Sequence, residues 1–200
     1  MKEHLSLRKQ LGPNSPNSTS YTATHTTDTL VVSMPQEMYK DAIYFCREAK
    51  NLIAKGSGPF EIWRNLRAAI LFGFAAIESC INQFIDSYLN QNSGISDFDY
   101  WSERNGYVPI KEKLKGGVEL FGGTGKRLSS DTILWRSFTD FKRLRDSLVH
   151  YKENDPRFYN TGLILTETEQ GILAASEIIK KIYLAHPDNK SYPPTFNIRP

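Results

Sequence analysis

Apolar residues recur every three or four positions through most of residues 34–186, which places them on single faces of helices. One such face carries Ile70, Phe74, Ile77, Ile81, Phe84 and Tyr88, and another carries Leu134, Phe138, Phe141, Leu144 and Leu148. Gly and Pro residues separate the periodic stretches, as expected between helices. The pattern predicts an all-α fold, an antiparallel helical bundle of about five helices.

The longest predicted helix follows Gly58-Pro59, after a first helix that starts near Pro35 and reaches Gly56. Besides its apolar stripe, the long helix carries the small residues Ala69, Gly73, Ala76 and Cys80 on another face. Small side chains let a second helix approach closely, so two faces are expected to be buried. This helix is therefore predicted to be central in the bundle.

The chain divides into a core and two tails. Residues 1–33 are rich in Ser, Thr, Asn and Pro and are predicted to be a disordered tail, in which Leu30–Val32 either pairs briefly as a strand or docks on the bundle. Residues 34–186 form the bundle, and prolines extend residues 187–200 as a C-terminal tail. Thr166 and Glu169 have the spacing of a capping box and predict the start of the final helix.

Composition predicts a soluble cytoplasmic protein without a membrane contact. Cys46 and Cys80 are the only cysteines, and both lie in apolar helical stretches as buried thiols would in a reducing compartment. The most apolar stretch, Ala68–Ile77, is half the length that a bilayer requires. No metal-ligand spacing is present, so no cofactor is expected.

The net charge of +3 is too small to indicate nucleic-acid binding, so any contact with RNA requires a local basic cluster. One candidate cluster comprises Lys111, Lys113, Lys115, Lys126 and Arg127, and we interpret it as a solvated helix face. A second comprises Arg136, Lys142, Arg143 and Arg145. The second cluster includes the residues of most interest.

The hexapeptide Arg145–His150 carries the groups most typical of a chemical site. Arg145 projects into the apolar arc of its helix, where a guanidinium is rarely placed without a partner or a function. His150 follows five residues later, and Asp146 precedes it by one turn, close enough to orient its imidazole. A fixed cation, a titratable base and a carboxylate thus lie within two turns.

The sequence allows two choices for the arginine and two interpretations of the motif. Arg143 also precedes His150 at a suitable spacing, although Arg145 is the arginine that the apolar arc leaves unexplained. In a purely structural interpretation, His150 favours a helix C-terminus and Arg145 pairs with a carboxylate such as Glu78.

Over about residues 36–185 the chain resembles the HEPN superfamily, helical bundles whose RNA-cleaving members carry an Arg, four to six residues and a His in a late helix. Here Asp146 stands at the small polar position after the Arg, and Glu78 and Asn82 match inward polar positions of the second helix. Lys152 departs from the family, since toxin members have a modifiable Tyr two residues past the His.

The resemblance implies a metal-independent endoribonuclease, as a toxin or defence effector, that produces 2′,3′-cyclic phosphate ends. Arg145, His150 and Asp146 would be catalytic. The substrate-binding residues would be Arg143, Lys142, Glu78, Asn82 and Tyr151. RNA, a second copy of the chain and a protein antitoxin or regulator are the partners it implies. The alternative is a non-catalytic helical module that binds a partner protein or a nucleotide.

Overall fold

The computed structural model of the chain describes residues 21–25, 28–91, 108–117, 132–149, 160–185 and 199–200. The helices are α1 (Met34–Ala54), α2 (Pro59–Gln91), α3 (Ile110–Glu112), α4 (Thr132–Val149) and α5 (Thr161–Ala185), and a π-helical turn at Lys113–Gly117 continues α3. The predicted all-α helical bundle is confirmed: the long helices pack around one apolar core.

Helix α1 ends where the sequence predicts. Gly56 has a φ of +67°, a conformation that favours glycine. The Ser57 N–H donates to the Leu52 carbonyl and the Gly56 N–H donates to the Ile53 carbonyl, each at 3.0 Å. These two bonds form a Schellman motif, which satisfies the last carbonyls of α1 and reverses the chain into α2. The reversal makes α1 and α2 an antiparallel pair with extensive contacts.

Helix α2 is central, as predicted, because both of its expected faces are buried. Ile70, Phe74, Ile77, Ile81 and Phe84 of the large apolar stripe are buried, and so are Ala69, Ala76 and Cys80 of the small-residue face. The helix contacts α1, α4, α5 and the π-helical turn.

By length and composition alone, the segment Pro59–Leu89 is long and apolar enough to cross a membrane. The ten most apolar residues considered in the sequence, Ala68–Ile77, are too short to do so. More than half of the apolar window of Pro59–Leu89 is buried inside the bundle, as in the core helix of a soluble protein.

One aromatic ring fixes the crossing of three helices. Phe141 of α4 is buried between Gly73 of α2 and Gly171 of α5. A Cβ atom added at Gly171 would lie 2.0 Å from Cδ2 of Phe141, and one added at Gly73 would lie 3.1 Å from its Cζ. Glycine at these positions therefore lets the helices close on the ring.

The capping box predicted at Thr166 and Glu169 is wrong, because α5 begins earlier, at Thr161. Oδ1 of Asn160 accepts a hydrogen bond of 3.0 Å from the Leu163 N–H, so Asn160 caps the helix. The Thr166 hydroxyl donates instead to the Gly162 carbonyl, at 3.1 Å inside the helix.

Two short strands precede the bundle. β1 (Tyr21–His25) and β2 (Asp28–Val32) pair as an antiparallel hairpin. The sequence predicts a disordered tail over residues 1–33, whereas its described part is this hairpin, whose Thr and Val residues favour strands. The brief strand predicted at Leu30–Val32 belongs to β2.

Of the predicted C-terminal tail, the structure describes residues 199–200, and these lie against the bundle. The Arg199 carbonyl oxygen accepts a hydrogen bond of 2.6 Å from Nη2 of Arg47 on α1. The Arg199 guanidinium lies 3.8 Å from Oε1 of Glu177 on α5. The chain therefore returns to the α1–α5 side of the molecule.

Candidate functional site

The predicted site residues come from two helices, and most of them are described. Arg145, Asp146, Arg143 and Lys142 lie on the C-terminal half of α4, and Glu78 and Asn82 lie one turn apart on α2. His150 and Tyr151 lie outside the described residues. The structure therefore describes the arginines, the lysine and their partners on α2, but not the histidine of the predicted site.

Arg145 turns inward, as its position in the apolar arc predicts. Its Cζ lies 4.2 Å from the centroid of the Phe74 ring on α2, an arrangement that favours cation–π attraction. Its Nη2 lies 3.6 Å from Oε1 of Glu78, and its Nη1 lies 3.1 Å from Oδ1 of Asp146. The side chain is 24% exposed, so part of it still reaches solvent.

The Nε atom of Arg145 is buried and has no hydrogen-bond partner among the described residues. A buried donor without a partner costs about 1–3 kcal/mol, and more when it carries charge. The side chain is therefore held in place by the Phe74 ring and by two carboxylates, at an energetic cost.

Asp146 lies between two cations of its own helix. Its Oδ2 contacts the Lys142 ammonium and its Oδ1 contacts Arg145. The predicted role of Asp146 is to orient the His150 imidazole, a contact that lies outside the described residues. Within the described residues, the carboxylate holds Lys142 and Arg145 together.

The structure separates Arg143 from Arg145. The Arg143 side chain is 74% exposed and its Nη1 lies 3.4 Å from Oδ1 of Asp140, in an ordinary surface ion pair. It lines a shallow groove of about 300 Å³ between α4 and α5, together with Glu167 and Gln170. Arg143 and Arg145 thus face different surroundings, and of these two arginines it is Arg145 that lies beside the predicted α2 residue Glu78.

On the α2 side, the site includes a lysine that the sequence assigned to a solvated face. Lys113 of the π-helical turn is only 5% exposed, and its Nζ donates a hydrogen bond of 2.7 Å to Oδ1 of Asn82. The solvated interpretation is therefore wrong for Lys113; Lys126 and Arg127 lie outside the described residues. The spacing of Ile110, Lys113 and Leu114 could have revealed it, because positions i, i+3 and i+4 share a helix face.

Lys113 and Arg145 are electrostatically linked through Glu78. Burial lowers the pKa of the Lys113 ammonium below its ordinary value of 10.5, and the negative charges of Glu78 and Asp86 oppose this shift. The same Glu78 carboxylate is the α2 partner of Arg145. One half-exposed carboxylate thus interacts with a cation from α4 and with another from the π-helical turn.

Thiol and metal chemistry find no support in the described part of the chain. Burial raises the pKa of the Cys46 thiol to about 12 and also raises that of Cys80, so neither is a reactive thiolate. Among the described residues there is no group of three or more His, Cys, Asp or Glu side chains that could hold a metal ion.

Comparison of the chain with protein-family models, curated proteins and solved structures gives no match. The site must therefore be interpreted from its own chemistry. An arginine side chain that is partly exposed, whose guanidinium lies over a ring and is loosely paired with a half-exposed carboxylate, can bind an anion that displaces the carboxylate.

Proposed function

We propose that this protein is a metal-independent endoribonuclease of the HEPN type. The 2′-hydroxyl oxygen of a ribose attacks the adjacent phosphorus, and the bond from phosphorus to the 5′-oxygen breaks. The products are a 2′,3′-cyclic phosphate and a 5′-hydroxyl. His150 accepts the proton of the 2′-hydroxyl, since its ordinary pKa is near neutrality, and Arg145 stabilises the charge that develops on the phosphorane.

The observation that supports this proposal best is the inward position of Arg145. It is the arginine of the Arg–His motif, and it contacts both Phe74 and Glu78 of α2. Its planar fork can hold two phosphate oxygens at once. Asp146 then orients the imidazole, and Lys142, Arg143, Asn82 and Tyr151 contribute to substrate binding. Glu78 takes part in the site as the α2 partner of Arg145, whose guanidinium it must release to the phosphate.

A shared site in a homodimer would complete the mechanism. The leaving 5′-oxygen needs a proton donor, and the motif offers one histidine per chain. Two copies of α4 facing each other across a cleft would supply a second acid–base group. We also propose a cytoplasmic toxin or defence role, in which a protein antitoxin or regulator controls the site.

The test is an RNA cleavage assay in EDTA with purified wild-type protein and a His150→Ala variant. Cleavage is expected for the wild type and should be lost in the variant, with helical signal and thermal unfolding nearly unchanged. Arg145→Lys should also lose cleavage because lysine keeps the charge but not the fork. Arg143→Lys is the matched comparison and should retain most of the cleavage, because an exposed contact with phosphate needs the charge but not the fork. Equal cleavage by wild type and His150→Ala would indicate a contaminating nuclease and refute the proposal.

Asp146→Asn refines the assignment. It should reduce cleavage partially and shift the pH–rate profile, because the carboxylate acts on the imidazole and not on the substrate. Sedimentation at tens of micromolar tests the dimer, and a monomer there would contradict a shared site.

The alternative is a non-catalytic helical module that binds a partner protein or a nucleotide. One observation favours it: Arg145 already has two carboxylates of its own chain within reach, Glu78 and Asp146, which give it a structural role. In that case Arg145→Lys should be tolerated and His150→Ala should be silent. The cleavage assay therefore separates the two functions.

A further inference from the structure

Lys113 is a buried cation to which neither the sequence motif nor the proposed mechanism assigns a role. It is carried by a π-helical turn, a rare geometry that often occurs at functional sites. One of the three protons of the Lys113 ammonium bonds to Oδ1 of Asn82. Among the described residues, no carboxylate lies within 4.0 Å of the Lys113 ammonium. The ammonium can therefore receive a further acceptor.

Glu78 and Asp86 are the two carboxylates whose negative charge acts on Lys113, and Glu78 is the one that also reaches Arg145. Its Oε1 lies 3.6 Å from Nη2 of Arg145, beyond the 2.7–3.2 Å range of N–H···O hydrogen bonds. Its side chain is 46% exposed and therefore has room to change rotamer. Asn82, which holds Lys113, lies one turn from Glu78 on the same face of α2. Glu78 can thus move between two cations.

A carboxylate at Arg145 competes with any phosphate that binds there, since both are anions and both use the same guanidinium donors. A buried cation is screened less by salt than an exposed one, so Lys113 attracts Glu78 more effectively than surface lysines do. Drawing Glu78 toward Lys113 leaves the donors of Arg145 free for the ligand.

We propose that Lys113 is a positioning residue of the Arg145 site, which takes up the Glu78 carboxylate when a phosphodiester of RNA binds to Arg145. The proposal rests on RNA being the ligand of that site, as in the proposed function, but not on cleavage. Lys113 itself need not touch the RNA. Its role is to lower the competition between Glu78 and the phosphate.

The experiment measures binding without chemistry. A fluorescein-labelled oligoribonucleotide with 2′-O-methyl riboses cannot undergo 2′-hydroxyl attack, and fluorescence anisotropy gives its Kd. Lys113→Met should raise the Kd about three- to tenfold, because Glu78 then stays on Arg145. Lys111→Met removes the same charge from the same segment without the Asn82 contact, and it should change the Kd less than about twofold.

The decisive variant is the double substitution. Glu78→Gln should lower the Kd by removing the competing charge, and Lys113→Met in the Glu78→Gln background should then have no further effect. If Lys113→Met weakens binding equally in both backgrounds, Lys113 acts as a direct contact or as a structural residue, and the proposal is overturned. Equal Kd values for Lys113→Met and Lys111→Met also overturn it, as does the absence of binding by the wild type.

Folding and catalysis are controlled separately. Circular dichroism and thermal unfolding check every variant, and Lys113→Gln replaces Lys113→Met if the methionine variant does not fold. Lys113→Gln keeps a donor for Asn82 but removes the charge, so the same rise in Kd is expected. If wild type and His150→Ala cleave RNA equally, the nuclease proposal is refuted. If the Kd values of the Lys113 and Glu78 variants nevertheless change as predicted, the inference about Lys113 holds.

Discussion

Helix α4 meets α2 in two different ways within a single turn. At Phe141 the contact is apolar and closed by glycines on both sides, whereas at Arg145 it consists of charges, a ring face and a half-exposed carboxylate. The Phe74 ring borders both layers: its centroid lies 6.0 Å from that of Phe141 and 4.2 Å from Cζ of Arg145.

The difference between the layers separates the contacts that set the packing from those to which we assign the proposed ligand. In the Phe141 layer the ring leaves little space for a side chain at Gly73 and none at Gly171, so close packing fixes the relative positions of the three helices. The Arg145 layer keeps a buried donor without a described partner and an ion pair too long for a hydrogen bond. Local departures from good packing are expected at functional sites, which is why we assign the ligand to the second layer.

The largest expected effect is that of Gly171→Ala in the apolar layer. The new methyl group would meet the Phe141 ring at 2.0 Å, and the ring cannot retreat because Gly73 of α2 lies against its other edge. Unfolding free energy should fall by about 3 kcal/mol, at the upper end of overpacking costs. Urea denaturation followed by circular dichroism measures it.

Gly162→Ala is the matched control on the same helix, because an added methyl group there has only ordinary contact with Asn160 Oδ1 at 3.6 Å. It should leave stability unchanged or raise it slightly, since alanine favours helices. Phe141→Leu in the Gly171→Ala background should recover part of the loss. Equal stability of the two alanine variants would disprove the account of the crossing.

The same two layers show what the sequence could and could not predict. Helical periodicity alone places Phe141 and Arg145 on the inner face of α4, so the core and the inward guanidinium follow from spacing. Periodicity also places Lys113 on the face of Ile110 and Leu114, but it cannot identify the partner of the ammonium, because Asn82 comes from a distant helix.

Local signals failed at the start of α5 for a related reason. Thr166 has the chemistry of a cap, but inside a helix its hydroxyl bonds to the carbonyl four residues earlier. Asn160 has the same capping ability and lies at the observed helix start. The choice between them is made by packing, since Ile164 at the earlier start is fully buried in the core.

In the polar layer, Arg145→Ala should lower the unfolding free energy by about 1–2 kcal/mol, through loss of the contact with Phe74. Arg145→Met keeps an apolar chain against that ring and removes the buried Nε, so its stability should stay within about 0.5 kcal/mol of wild type. Chemical denaturation compares the two. A larger loss for the methionine variant would mean that the charge itself stabilises the fold.

Near neutral pH, Lys113→Met replaces a buried charge by an apolar side chain of similar length, which favours the variant, but it also leaves Oδ1 of Asn82 without its donor. The two effects oppose each other, so the unfolding free energy should stay within about 1 kcal/mol of wild type. Burial lowers the Lys113 pKa in the folded protein below its ordinary 10.5. At pH values between the lowered pKa of the folded protein and 10.5, the unfolded chain binds more protons than the folded one, so the stability of wild type rises with pH in that range.

The stability of the methionine variant relative to wild type should therefore fall as the pH approaches 10.5 and be lowest above it. Urea midpoints of both proteins at several pH values measure this, and Lys111→Met should show no such trend. A relative stability that rises with pH would contradict a lowered pKa.

The smallest effect on stability is expected at Arg143, which belongs to neither layer. Its ion pair with Asp140 is exposed, with 74% and 58% of the two side chains accessible, so water and salt weaken it. Arg143→Ala should change the unfolding free energy by less than about 0.5 kcal/mol, and a double-mutant cycle with Asp140→Ala should give a coupling of the same size. The effect of Arg143→Ala should appear instead in RNA binding. If Arg143 contacts a phosphate, the slope of the logarithm of the binding constant against the logarithm of the salt concentration should decrease by about one for the 2′-O-methyl oligonucleotide. An unchanged slope would remove Arg143 from the substrate-binding residues, whereas Arg145 and its α2 partners would keep their assignment.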